Sequence, residues 1–208
     1  MYVRVTAVRV DPAKIDLGIA NFQDRLVPAA RAAPGYAMAA LLIDRQTGEG
    51  GGATYWQTLA DMNAAEQMGQ QVRRQSSEAT GAEVIDVDRF EVVLVDRAAE
   101  PRVPTFSRIN QLYADPGRIE EGIAFVRDRA IPTLRKQDGY ISLLMGANRM
   151  TGRCLVTSNW TSAEARAASE MAVTDQRREA MTVAGATQVD VTLYEAVVMD
   201  IVQVPITS

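Results

Sequence analysis

Six side chains have types and spacing that could do chemistry: Trp56 and Trp160, Tyr36 and Tyr140, Arg108 and Glu195. The tryptophans and tyrosines form pairs separated by one offset of 104 residues, and Arg4 and Glu91 precede Arg108 and Glu195 by the same step. An indole offers a flat apolar wall, and a phenol an apolar body with a polar tip. An Arg–Glu pair could form a polar floor that orients a ligand. Gathered in one cleft, these groups could hold a small apolar or aromatic molecule and orient an oxygen on it. Each also has a structural reading. Aromatic residues anchor strands to helices, and an Arg–Glu pair can tie neighbouring strands together.

The chain contains no histidine, which removes the usual general base near neutral pH and the usual haem or zinc ligand. A Ser-His-Asp or Cys-His apparatus cannot be assembled. The single cysteine, Cys154, excludes an intramolecular disulfide and reads as a small packing residue, because a reactive thiolate needs a cationic neighbour. No tight Asp/Glu cluster suggests a metal, so the expectation is no metal and no cofactor. Net charge is −4 with no dense basic run, which argues against nucleic acid as a partner. No apolar run reaches the length of a membrane span. The first residues lack a charged leader before an apolar core, and the expected compartment is the cytoplasm.

The elements that must position these residues follow from periodicity. Tyr2 to Val10 is rich in β-branched residues and reads as a strand ended by Asp11-Pro12. Ile15, Ile19, Phe22 and Leu26 recur at helical spacing within Ile15 to Ala32, where Pro28 should kink the helix or end its regular part. Tyr36 to Ile43 and Gly50 to Trp56 read as a hairpin. Gly50-Gly51-Gly52 suggests a bulge or longer loop, or else a cavity opened in the first half only. Thr58 to Ser77 reads as one helix that Thr58 could cap, and Val84 to Val95 as a fourth strand. After the linker at 98–104 the plan restarts: Asp115-Pro116, Pro132, Gly139-Tyr140, Thr151-Gly152 and Trp160 repeat earlier residues, and Thr161 to Glu164 has a capping-box pattern.

The predicted order in each half, 1–97 and 105–208, is β-α-β-β-α-β, an α+β, ferredoxin-like plan. In that plan the first and fourth strands are neighbours, so Arg4 should meet Glu91, and Arg108 should meet Glu195. Both helices cover one sheet face, yet Val92 to Val95 and Glu195 to Val202 are apolar on both alternating sets, the mark of strands buried on two sides. The expectation is two repeats packed sheet to sheet, a pseudo-dimer within the chain that could assemble further.

The Gly-Tyr strand, the Thr-Gly hairpin and the strand ending in Trp before a helix resemble the antibiotic-biosynthesis-monooxygenase domain, once per half. That resemblance implies an intrachain dimeric α/β barrel. For activity it implies cofactor-free oxidation of quinol-type aromatics, with Trp56 or Trp160 lining the ligand cleft between sheet and helices. Oxygenases of that family set a polar amide on the same strand face as the Trp. Here Asn159 is adjacent to Trp160, and alternation turns it to the other face. Family members that break down haem hold its iron through a histidine, which this chain lacks. Two functional classes stay open: a cofactor-independent monooxygenase on a small aromatic or quinol-like molecule, and a non-catalytic binder of a small apolar ligand or a structural protein.

Overall fold

β-Branched residues carry Tyr2–Arg9 into strand β1. Asp11 then caps a short 3-10 turn, accepting from the Ala13 amide at 2.9 Å. The computed structural model describes residues 1–187 and 189–203 of an α+β chain. These form two compact units, one of Met1–Arg89 with the described residues from Tyr194 onward, the other of Phe90–Leu193.

In the first unit, α1 (Ile15–Asn21) passes into a π-helical turn, Phe22–Leu26, and then into α2 (Val27–Arg31). The regular helix therefore stops ahead of Pro28. A π turn sits where the ring and missing N–H of proline disturb the i to i−4 ladder. Strand β2 (Tyr36–Ile43) turns into β3 (Glu49–Trp56), which pairs antiparallel with both β2 and β1. Helix α3 (Leu59–Ala64) opens with a capping box: Thr58 accepts from the Asp61 amide at 3.1 Å, and the Asp61 carboxylate accepts from the Thr58 amide at 3.2 Å. The single helix expected after Thr58 is broken at Ala65, and α4 (Glu66–Thr80) starts anew.

Strand β4 (Glu83–Arg97) lies beside β1 and gives its first half, through Arg89, to this unit. Its other edge strand is the end of β8 (Val189–Ile201), paired with β2. The order within the unit is thus β4-β1-β3-β2-β8. Its core gathers Phe22, Ala39, Leu41, Trp56, Met62 and Val198.

The glycine run is neither a bulge nor a loop. The β1–β3 register is unbroken from Tyr2 opposite Trp56 to Arg9 opposite Glu49, and the irregularity falls in β2 between Tyr36 and Met38. Close approach explains two of the glycines: a Cβ on Gly50 would lie 2.3 Å from the Leu42 carbonyl oxygen, and one on Gly52 2.9 Å from the Phe22 ring.

The second unit repeats the order. Strand β5 (Thr105–Tyr113) leads to α5 (Ile119–Phe125), a π turn at Val126–Ala130 and α6 (Ile131–Leu134). Then come β6 (Tyr140–Ala147), β7 (Arg153–Trp160), α7 (Ala163–Ala168) and α8 (Glu170–Ala184). Ser162, one residue later than the sequence pattern suggests, caps α7 by accepting from the Ala165 amide at 3.1 Å. The strand order is β8-β5-β7-β6-β4, with Phe90–Arg97 of β4 on the edge of β6. No helix among the described residues is long and apolar enough to cross a membrane.

Candidate functional site

Strand alternation sends Arg4, Thr6 and Val8 of β1, and Gly52, Thr54 and Trp56 of β3, to the sheet face that meets the helices. Together with α1, the π turn and α4 they enclose a cavity of about 120 Å³. Phe22, Leu41, Met68 and Val72 make it apolar, and Trp56 closes part of the wall. Gly18 of α1 borders it with nothing within 4 Å of where a Cβ would sit. Trp56 is 1% exposed, stands edge-on to Tyr36 with ring centroids 5.9 Å apart, and donates from Nε1 to Thr54 Oγ1 at 3.2 Å.

One end of this cavity is cationic. Arg4 is buried, and its Nη2 donates to the Met62 carbonyl at 2.5 Å and to Glu66 at 2.8 Å. Glu66 also accepts from Arg73 at 2.8 Å and from Arg89 at 2.7 Å, so one carboxylate meets three guanidiniums. Burial pushes the Glu66 carboxyl up, but the hydrogen bonds from Arg89 and Arg73 and the charges of Arg4 and Arg89 outweigh it and hold the group below its ordinary range. Burial also lowers the Arg4 guanidinium from its usual value, partly offset by Glu66. Glu66 is thus a poor base; it lies behind the cavity wall, and among the described residues no carboxylate lines the cavity.

The second unit has a smaller cavity of about 90 Å³, lined by Leu143, Met145, Val156, Val173, Gln176 and Arg177 among others. The expectation of an open chamber in the first half only is therefore corrected: both halves have one, and Val156 stands where the first has Gly52. Trp160 is fully buried but lies off this cavity. It sits edge-on to Tyr140 at 5.6 Å, beneath the Arg108 guanidinium at 5.8 Å. Arg108 donates to Ser169 at 3.0 Å and to the Arg166 carbonyl at 2.5 Å, and pairs with Glu170 at 2.8 Å.

The cross-strand Arg–Glu pairs do not form. Arg4 meets Glu66 and Arg108 meets Glu170, each on the helix that covers its sheet. Glu91 pairs instead with Arg149 at 2.8 Å, and Glu195 with Arg45 at 3.6 Å. The reason is strand length. Only the first part of β4 lies in the unit of β1, and Glu91 lies further on, opposite Ala147 of β6; Glu195 likewise lies opposite Ile43 of β2.

The tyrosines border neither cavity, and their hydroxyls are engaged. Tyr36 donates to Asp200 at 2.6 Å, and Arg31 chelates the same carboxylate, with its Nε at 2.8 Å. Tyr140 donates to Asp96 at 2.9 Å, which Arg135 grips through Nη2 at 2.5 Å. Burial first, then the aspartate, push both phenols well above the ordinary tyrosine range, so they stay protonated donors. Asn159, on the face opposite Trp160, accepts from Ser107 at 2.7 Å and donates to Ser142 at 3.0 Å. Cys154 is buried, and burial pushes its thiol up to about 11. Among the described residues no three His, Cys, Asp or Glu gather as metal ligands.

The sequence reading missed Glu66, Gly69, Arg73 and the two aspartates. Recurrence could have found most of them, because Arg31, Glu66, Arg73 and Asp96 all reappear 104 residues later. Gly69 has no such signal, since Val173 replaces it.

No protein-family model matches the sequence. An uncharacterized Mycobacterium tuberculosis protein, Rv2558, is 26% identical over 196 residues, covering 94% of this chain and 83% of that protein. Among solved structures, a Fusobacterium nucleatum protein provisionally named a monooxygenase aligns with a TM-score of 0.72 at 10% identity, over 97% of this chain and 94% of its own. An anthrone oxidase-like protein aligns at 0.68 and 14% identity, over 96% and 93%. A Listeria monocytogenes ferredoxin-fold protein related to antibiotic biosynthesis monooxygenases aligns at 0.51 and 10% identity, over 93% and 94%. The chain has the fold of these monooxygenase-like proteins.

Proposed function

We propose that the first unit binds a small aromatic, quinol-like molecule in the cavity beside Trp56 and oxygenates it without a cofactor. The observation that carries this reading is the cavity itself: an apolar chamber between sheet and helices with convergent arginines at one end. The likeness in fold to monooxygenase-like proteins supports the reaction class. A ring methylene activated by a neighbouring carbonyl loses a proton to give an enolate. Transfer of electrons to oxygen then yields a ring carbonyl and one water. The substrate supplies all four electrons, so no external reductant enters. The chain contributes shape, exclusion of water and a positive field for the enolate oxygen.

We also propose that 1–97 and 105–208, joined by 98–104, are two ferredoxin-like repeats of a fused dimeric α/β barrel. Support comes from β4 and β8, whose ends belong to the unit of the opposite half.

A second reading has its own support. Glu66 is tied to three arginines and, among the described residues, no carboxylate lines the cavity, so proton removal would fall to water or to the substrate's own acidity. That favours a non-catalytic binder. Oxygen uptake and calorimetry with a panel of dihydroxy-aromatics and anthrone-type ketones, for wild type and Gly18→Leu, separate the two. The leucine projects into open space and should fill the chamber without disturbing the helix. Uptake that Gly18→Leu removes is the expected result. Binding without uptake selects the second reading, and neither binding nor uptake overturns both.

A further inference from the structure

We infer that the first unit's cavity is built for an amphipathic anion, its apolar body against Trp56, Phe22 and Met68 and its anionic oxygen between Arg4 and Arg73. This rests on the binding reading above and specifies the ligand class: an aromatic or aliphatic body bearing a carboxylate or enolate.

The charges at this end do not balance. Glu66 accepts from the Nη2 atoms of Arg4, Arg73 and Arg89, so three guanidiniums share one carboxylate. Arg89 is 43% exposed, and water screens it. Arg4 is 3% exposed and has no such relief. Its Nε is buried with no hydrogen-bond partner. A buried charge with an unsatisfied donor is costly unless a counter-charge arrives.

Geometry shows where that counter-charge fits. Nη1 of Arg4 and Nη1 of Arg73 each lie 3.1 Å from the point where a Cβ on Gly69 would sit. Both arginines and Gly69 line the cavity. Two cationic nitrogens thus converge on the bare helix surface at residue 69, which a side chain would cover. A carboxylate or enolate oxygen resting on the Gly69 Cα from the cavity side would lie between the two guanidiniums, placed to accept charge-assisted hydrogen bonds from both.

The second unit provides an internal contrast. Val173 occupies the place of Gly69, Leu193 that of Arg89, and the Nε of Arg177 donates to Asn110 at 2.8 Å. Arg108, the counterpart of Arg4, does not line its cavity. The orphaned Nε recurs in Arg108, so what sets the first unit apart is that Arg4 and Arg73 reach its cavity over Gly69.

Calorimetry near neutral pH with 2-naphthoate and 2-naphthalenemethanol tests this, because the two share a ring system and differ in charge. The proteins are wild type, Gly69→Val, which copies the second unit, and Arg73→Gln, with thermal melts to confirm folding. Wild type should bind the carboxylate at least about ten-fold more tightly than the alcohol. Both variants should lose about that factor for the carboxylate while holding the alcohol within about two-fold. Equal affinity for the two probes, or naphthoate binding that neither variant weakens, overturns the anion site and leaves the cavity reading standing. Failure of wild type to bind either probe overturns both. Absence of oxygen uptake bears on the reaction alone.

Discussion

At the scale of single residues, partner identity decides which glutamate matters. Glu66 neutralises a buried arginine, so Glu66→Ala should cost about 3 kcal/mol in urea unfolding, as expected when one side of a buried pair is removed. Among the described residues Glu195 pairs with a half-exposed Arg45, so Glu195→Ala should change stability by less than about 0.5 kcal/mol. The Tyr–Asp–Arg clusters behave in a third way. Asp96→Ala strands the buried Tyr140 hydroxyl and should cost about 1–3 kcal/mol by the same measurement. Asp200 gives a pH dependence. The Arg31 hydrogen bond lowers its pKa, burial opposes this, and Tyr36 assists. Its folded value is depressed, so its stabilisation is present above the unfolded value of about 3.9 and is lost as pH falls through the folded value. Asp200→Asn should therefore flatten the acid limb of a stability–pH profile and leave its slope near neutral pH unchanged.

At the scale of elements, the strand–helix junctions are set by backbone requirements that a sequence displays openly. Gly35 has a φ of 73°, and a Cβ there would lie 2.3 Å from the Asp61 carboxyl, inside the capping box of α3. Gly35→Ala should combine left-handed strain with a damaged cap and cost about 2 kcal/mol, read as a lowered urea midpoint. Gly-Tyr starts, Thr-Gly turns and Trp ends were legible because each is a local rule. The π turns were not, although Pro28 and Pro132 marked the places: whether a helix ends or shifts its ladder depends on what packs over it. The break at Ala65 was hidden for the same reason, since residues 58–80 carry no proline and only Gly69 as an interior breaker.

At the scale of the molecule, each unit takes the end of a strand from the opposite half of the sequence. Asp200 serves Tyr36 and Arg31, and Asp96 serves Tyr140 and Arg135. Residues 1–97 expressed alone would leave β2 without β8, and unpaired edges invite association. That fragment should aggregate or self-associate in sizing chromatography, and adding residues 105–208 should restore a soluble species. The order of elements in each half was readable because residues 104 positions apart reinforce one another. Partner choice was not, because the reach of β4 past Arg89 is a matter of strand length that alternation does not encode. The cationic end of the chamber was half visible: its arginines recur, while their approach to the helix depends on a glycine that Val173 replaces in the second unit.

The proposed duplication within one polypeptide has an evolutionary corollary. A homodimer of short chains must mutate both of its chambers at once. Here Gly69 and Val173 are separate codons, so one chamber can be retuned for a new compound while its sibling stays constant. Every molecule then carries both versions in fixed one-to-one proportion.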